Sequence, residues 1–132
     1  MDAHLRSLVR KRAGDRCEYC LLPQSAASFL RFHVEHIRAR QHGGTDDPDN
    51  LALACPDCNA HKGPNLTAID PDTNQLVQLF NPRIDRWTEH FTHVGAVLQG
   101  VSAVGRATVA LLMMNDPDRV EMRAEIAKAG GF

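Results

Sequence analysis

Four cysteines fall in two pairs, Cys17-Glu18-Tyr19-Cys20 and Cys55-Pro56-Asp57-Cys58. A two-residue gap lets both sulfurs of a pair reach one ion about 2.3 Å away, and two such pairs read as a tetrahedral thiolate site for zinc. Disulfides are the competing use of four thiols. The opening Met1-Asp2-Ala3-His4 has no apolar h-region, so the expected location is the cytoplasm, where disulfides are rare. A redox C-x-x-C belongs with a thioredoxin-like βαβ pattern, which this duplicated motif lacks. A site closed by four thiolates has no open coordination position and serves as scaffold. The pairs stand 34 residues apart, across positions 21–54. A plain zinc ribbon has about 15–20 there. Something extra is therefore inserted between the two halves of the clip.

A chain of 132 residues leaves room for one domain, 1–132, and 43% hydrophobic with 23% charged residues is a globular balance. The longest unbroken apolar run, 109–114, is six residues, far below the roughly 18 a membrane span needs. Charge is uneven along the chain: +4 over residues 1–40, −5 over 41–75, and neutral beyond. The total of −1 argues against coating nucleic acid through bulk charge but leaves room for a local phosphate-binding face. Arg outnumbers Lys twelve to three, and the Arg fork suits phosphate.

The periodicity predicts an amphipathic helix over 3–13, with Leu5, Leu8 and Val9 on one face, and a short helix over 25–30. Residues 31–37 alternate as a strand, placing Phe32, Val34 and His36 opposite His33, Glu35 and Ile37. Residues 38–49 are turn-rich, 50–54 form a short apolar strand or turn, and a helix runs from Pro56 to Gly63. Beyond, 75–80 and 94–101 read as strands, and 106–115 and 117–129 as helices. Val109, Leu112 and Met113 form a core stripe.

Between and after the knuckles the chain reads His33-Val34-Glu35-His36-Ile37, Gly43-Gly44, Asp49-Asn50-Leu51 and Cys55-Pro56-Asp57-Cys58-Asn59-Ala60-His61-Lys62-Gly63. This order resembles the HNH endonuclease family over about residues 14–63. The resemblance implies an α+β fold: a small ββα-metal finger braced by a four-cysteine zinc site (Cys17, Cys20, Cys55, Cys58), flanking helices, and a short C-terminal α/β extension over about 64–132. It implies a metal-dependent endonuclease acting on DNA, with Mg²⁺ or Mn²⁺ as catalytic ion beside the structural Zn²⁺.

His36 matches the family's general base, which takes a proton from the attacking water, and an imidazole titrates close enough to neutrality to do so. Glu35 matches the preceding metal ligand, where the family more often has Asp or His. Adjacent strand residues point to opposite faces, so Glu35 and His36 converge only if the strand twists or bulges. Asn50 matches the middle Asn that holds the catalytic loop. Asn59 stands where the founding pattern has His and would ligate through its amide oxygen, with His61 as the competing ligand. On a helix Asn59 and Lys62 share a face and His61 does not, so if Glu35 and the substrate phosphate lie on the Asn59 side, Lys62 is a phosphate contact and His61 points away. His33, Arg38 and Arg40 are further phosphate or DNA contacts.

The reading is thus a DNA phosphodiesterase acting as monomer or homodimer, with no membrane partner. The alternative is a non-catalytic zinc-braced DNA-binding or interaction module, which has no use for Glu35, His36 and Asn59 together.

Overall fold

α1 (Ala3–Arg12) starts where the Asp2 carboxylate accepts a hydrogen bond of 2.8 Å from the Leu5 N–H, satisfying one of the orphan donors of the first turn. The computed structural model describes residues 1–132 and divides the chain into two units, Met1–Asn65 and Leu66–Phe132. Of the apolar face expected on α1, Val9 alone is fully buried, and Leu8 is 38% exposed. Polar side chains supply the rest of the docking. Arg10 donates to the Phe32 carbonyl at 2.9 Å and Arg12 to the Leu51 carbonyl at 2.8 Å.

β1 (His33–His36) pairs antiparallel with β2 (Leu51–Ala54), His33 facing Ala54 and His36 facing Leu51 without a bulge. All four residues of β2 are buried. The strict alternation expected over 31–37 does not hold. Phe32, Glu35 and Ile37 are buried, His33 is exposed, and Val34 and His36 are half-buried. The cause is that α1 and α2 (Pro56–Lys62) both pack on β1, and a ribbon covered from two directions loses its period-two pattern. Cys55 caps α2, its sulfur accepting from the Cys58 N–H at 3.4 Å, Pro56 fills the first turn, and Gly63 follows the last residue. The hairpin and the helix make the ββα arrangement.

In the second unit, β3 (Thr67–Ile69) pairs with β4 (Leu76–Gln78), and β5 (Phe91–Val94) with β6 (Val97–Gly100). The single strand expected over 94–101 is therefore a hairpin, with Gly95 at φ +60° opening its two-residue turn, as a II′-type turn requires. α3 (Ala103–Leu111) begins before Arg106 because the Ser102 hydroxyl accepts from the Gly105 N–H at 2.9 Å. It ends before 115, and Met113 adopts φ +51°. That turn buries Leu112 and Met114 and leaves Met113 47% exposed, which corrects the expected stripe. α4 (Pro117–Lys128) buries two arginines. Arg119 donates to the Leu112 carbonyl and Arg123 to the Met114 carbonyl, each at 2.6 Å. Asp70, fully buried, takes two 2.9 Å hydrogen bonds from Arg106, which hold its carboxyl far below the usual carboxylate range. No helix is long and apolar enough to cross a membrane.

Candidate functional site

The sulfurs of Cys17, Cys20, Cys55 and Cys58 are buried and lie within 4.8 Å of one another, with Cys20 and Cys55 3.7 Å apart. A tetrahedron with Zn–S bonds of about 2.3 Å has an edge of about 3.8 Å, so the four thiols form a candidate zinc site. Backbone N–H groups point at two of the sulfurs, Cys20 to Cys17 at 3.5 Å and Cys58 to Cys55 at 3.4 Å. Burial pushes the Cys17 thiol well up, and a hydrogen bond with Cys17 does the same at Cys58. A cation is what would hold these sulfurs as thiolates. Glu18 ties the first knuckle to β2: its N–H donates to the Leu53 carbonyl and its carboxylate accepts from the Leu53 N–H, both at 2.8 Å.

Glu35 turns inward. One carboxylate oxygen accepts from the Tyr19 hydroxyl, and the other sits 3.2 Å from the Lys62 ammonium. Lys62, 2% exposed, also donates to the Ile37 carbonyl at 2.9 Å. The Glu35 charge thus answers Lys62, whose ammonium is held against the end of β1. Burial pushes the Glu35 carboxyl up, against the opposing pull of Lys62 and the Tyr19 hydroxyl. Lys62→Met leaves a buried carboxylate without its cation and should lower stability by about 3–5 kcal/mol in denaturant unfolding. It also raises the Glu35 pKa further, so the native state binds more protons than the unfolded one. Stability of the variant should then fall as pH rises past about 4.3, the unfolded value.

His36 points elsewhere. Its Nε2 lies 2.7 Å from an Asp46 carboxylate oxygen, and Arg40 donates to the same oxygen at 2.9 Å. The hydrogen bond with His36 is the main reason the Asp46 carboxyl is held below its ordinary range. Asn50 closes the loop that carries Asp46. Its carbonyl oxygen accepts from the Arg38 N–H at 2.9 Å, and its amide donates to the carbonyls of Arg38 at 3.0 Å and Thr45 at 2.8 Å. The loop is tight enough that a Cβ on Gly44 would stand 1.7 Å from the Arg38 carbonyl oxygen. Gly44→Ala should therefore shift the backbone at Arg38, cost about 1–3 kcal/mol, and lower the urea midpoint.

His33, Glu35, His36, Arg40 and Asn59 line one cleft of about 320 Å³. Asn59 is half-buried, His33 is exposed, and neither side chain has a hydrogen-bond partner. His61 is exposed outside this cleft, its Nδ1 2.8 Å from the Asp57 carbonyl of its own helix. Arg38 folds back on the loop, donating to the His42 carbonyl at 2.5 Å. Two members escaped sequence reasoning. Tyr19 could have been suspected, since a tyrosine fixed inside a buried knuckle needs a partner for its hydroxyl. Asp46 carried no signal beyond being an acid in a turn-rich loop.

Within the cleft, the Glu35 carboxylate is already paired with Lys62. The open donors in the cleft are the Asn59 amide oxygen and the His33 imidazole. Residues 17–65, all within the first unit, match the family model of the HNH endonuclease. No curated protein and no solved structure matches the chain. With the antiparallel strand pair, the following helix and the four-cysteine cluster in place, residues 17–65 are an HNH endonuclease domain in a small α+β fold.

Proposed function

We propose that the chain is an endonuclease that hydrolyses phosphodiester bonds in DNA, with His36 as general base. The observation that carries this reading is the His36 imidazole, aligned by Asp46 at the edge of a cleft that also holds the unpartnered Asn59 and His33. A carboxylate at Nε2 keeps the proton on that nitrogen and leaves Nδ1 with a lone pair for the proton of an attacking water. Asp46 also stabilises the imidazolium that results. Asn50, by its three hydrogen bonds, positions the loop bearing Asp46 and so the ring. Arg40 keeps its side chain 65% exposed while pairing with Asp46, which leaves guanidinium edges for a phosphate oxygen.

A divalent ion, magnesium or manganese, would supply charge neutralisation at the scissile phosphate. Asn59 and His33 are the donors that would hold it. Glu35 joins them only on release from Lys62. One cleft per chain cuts one strand, so a monomer nicks and a double-strand break takes two copies. The competing reading, a zinc-braced DNA-binding or interaction module, draws on the Lys62–Glu35 pair, which occupies the carboxylate that an ion would use.

Plasmid incubated with the purified, zinc-loaded chain decides between them. The nuclease gives nicked or linear product that depends on Mg²⁺ or Mn²⁺. If duplex, single-stranded and branched DNA all survive every divalent ion, the nuclease reading fails and the binding module stands.

A further inference from the structure

A cluster of exposed cations lies on and beside α1, away from His36. An open groove of about 740 Å³ is lined by Arg6, Arg10, Lys11 and Arg31, with Asp15 as its one carboxylate. A smaller hollow of about 240 Å³ shares Arg6, Arg10 and Arg31 and continues to His33 and Val34. Those two residues also line the cleft of His36 and Asn59. The three hollows therefore share lining residues end to end.

These cations are not there to stabilise the helix through pairs with acids, because α1 contains no Asp or Glu. Lys11 and Arg10 lie in the last turn, where positive charge complements the helix dipole. Arg6 and Arg31 have no such use. Arg6, Lys11 and Arg31 are exposed and have no partner, and Arg10 spends one N–H on the Phe32 carbonyl. Four cations gathered around a single carboxylate repel one another, and an anion in the groove relieves that.

A string of separated cations suits an extended polyanion better than a small one. At about 3.3 Å per residue, the extended run from Arg31 to His36 covers about 16 Å. The phosphates of one DNA strand rise about 3.4 Å each along the axis and lie farther apart along the strand itself, so this run is long enough to meet more than one of them. We infer that the α1 groove is a track for the backbone of a DNA strand, delivering a phosphate to His36. The inference rests on the nuclease reading for the identity of the polyanion.

The test is binding of the zinc-loaded chain to a fluorescent oligonucleotide of about 20 nucleotides, duplex or single-stranded, without divalent ion and over about 50–200 mM salt. Each phosphate contact contributes about eightfold to the binding constant at 0.1 M salt. Arg6→Ala/Lys11→Ala/Arg31→Ala should therefore bind about a hundredfold more weakly or worse. The plot of log K against log salt should become shallower by about 2.7 on duplex, or about 2.1 if single strands are the ligand. Alanine is the best helix former, and unchanged circular dichroism and zinc content show that the variant is folded. The control Arg86→Ala/Lys128→Ala, in the second unit, should change neither quantity.

The inference is overturned if wild type binds neither oligonucleotide, if the triple variant keeps its affinity and slope, or if the control loses as much. Cutting that ignores the triple substitution overturns the track and leaves the nuclease standing. Binding that depends on the three cations, in a chain that cuts nothing, supports the track and removes the nuclease.

Discussion

Replacing His36 with alanine should lower metal-dependent plasmid cleavage by about 10²–10⁴-fold, the range for loss of a positioned general base. The fold should survive, because the ring is half-buried and its recorded partner is Asp46 on an exposed loop. Circular dichroism and zinc content are the checks. Asp46→Asn separates orientation from charge. It keeps a group within hydrogen-bonding reach of Nε2 but withdraws the anion that favours the imidazolium, so its defect should be smaller than that of His36→Ala and should fall on turnover rather than on DNA affinity. If cleavage persists in His36→Ala at the wild-type rate, the base is another group, with His33 and His61 the imidazoles to examine next.

Withdrawing zinc should have the largest effect on stability. Structural zinc contributes about 10–16 kcal/mol in small zinc-binding peptides, more than most domains of this size have in total. Cys58→Ser, or a chelator, should therefore unfold residues 1–65 outright. Two intrinsic probes separate the units. Tyr19 is the only tyrosine and is fully buried in the first, and Trp87 is the only tryptophan and lies in the second. Loss of metal should expose Tyr19 to solvent, seen as a shift in its ultraviolet absorption, with a parallel loss of helical signal. A chain that keeps Tyr19 protected after its zinc is removed would mean that the cysteines are not what closes this unit.

The cysteine framework was legible because coordination leaves so little choice. Within one knuckle, two thiols separated by about two to four residues reach a shared ion, and that spacing is visible in the sequence. The ββα elements were legible for a related reason: Pro56 and Gly63 punctuate the helix and Gly43-Gly44 the loop. The interior of the site was not. Glu35 reads as a ligand from its neighbours, but its environment is set by Tyr19, sixteen residues earlier, and Lys62, twenty-seven later. Residue type does not reveal which long-range partner wins a carboxylate. Asp46 was invisible for the same reason, since its pairing with His36 exists only once Asn50 has closed the loop. In the second unit, Gly95, inside the strand expected over 94–101, is where the chain reverses. The buried face of α4 was obscured because Arg119 and Arg123 bury long polar side chains against carbonyls where periodicity expects hydrocarbon.

The two residues between the first pair of thiols act as more than a spacer. Glu18 is bound to β2 and Tyr19 to Glu35 on β1, so ordering of the metal knuckle is expected to couple to ordering of the strand that carries His36. Thermodynamic linkage makes such coupling symmetric. Whatever factor zinc adds to the affinity of a ligand held at β1, that ligand must return to the affinity for zinc. A zinc titration against a coloured chelator, run with and without DNA, reads that factor directly.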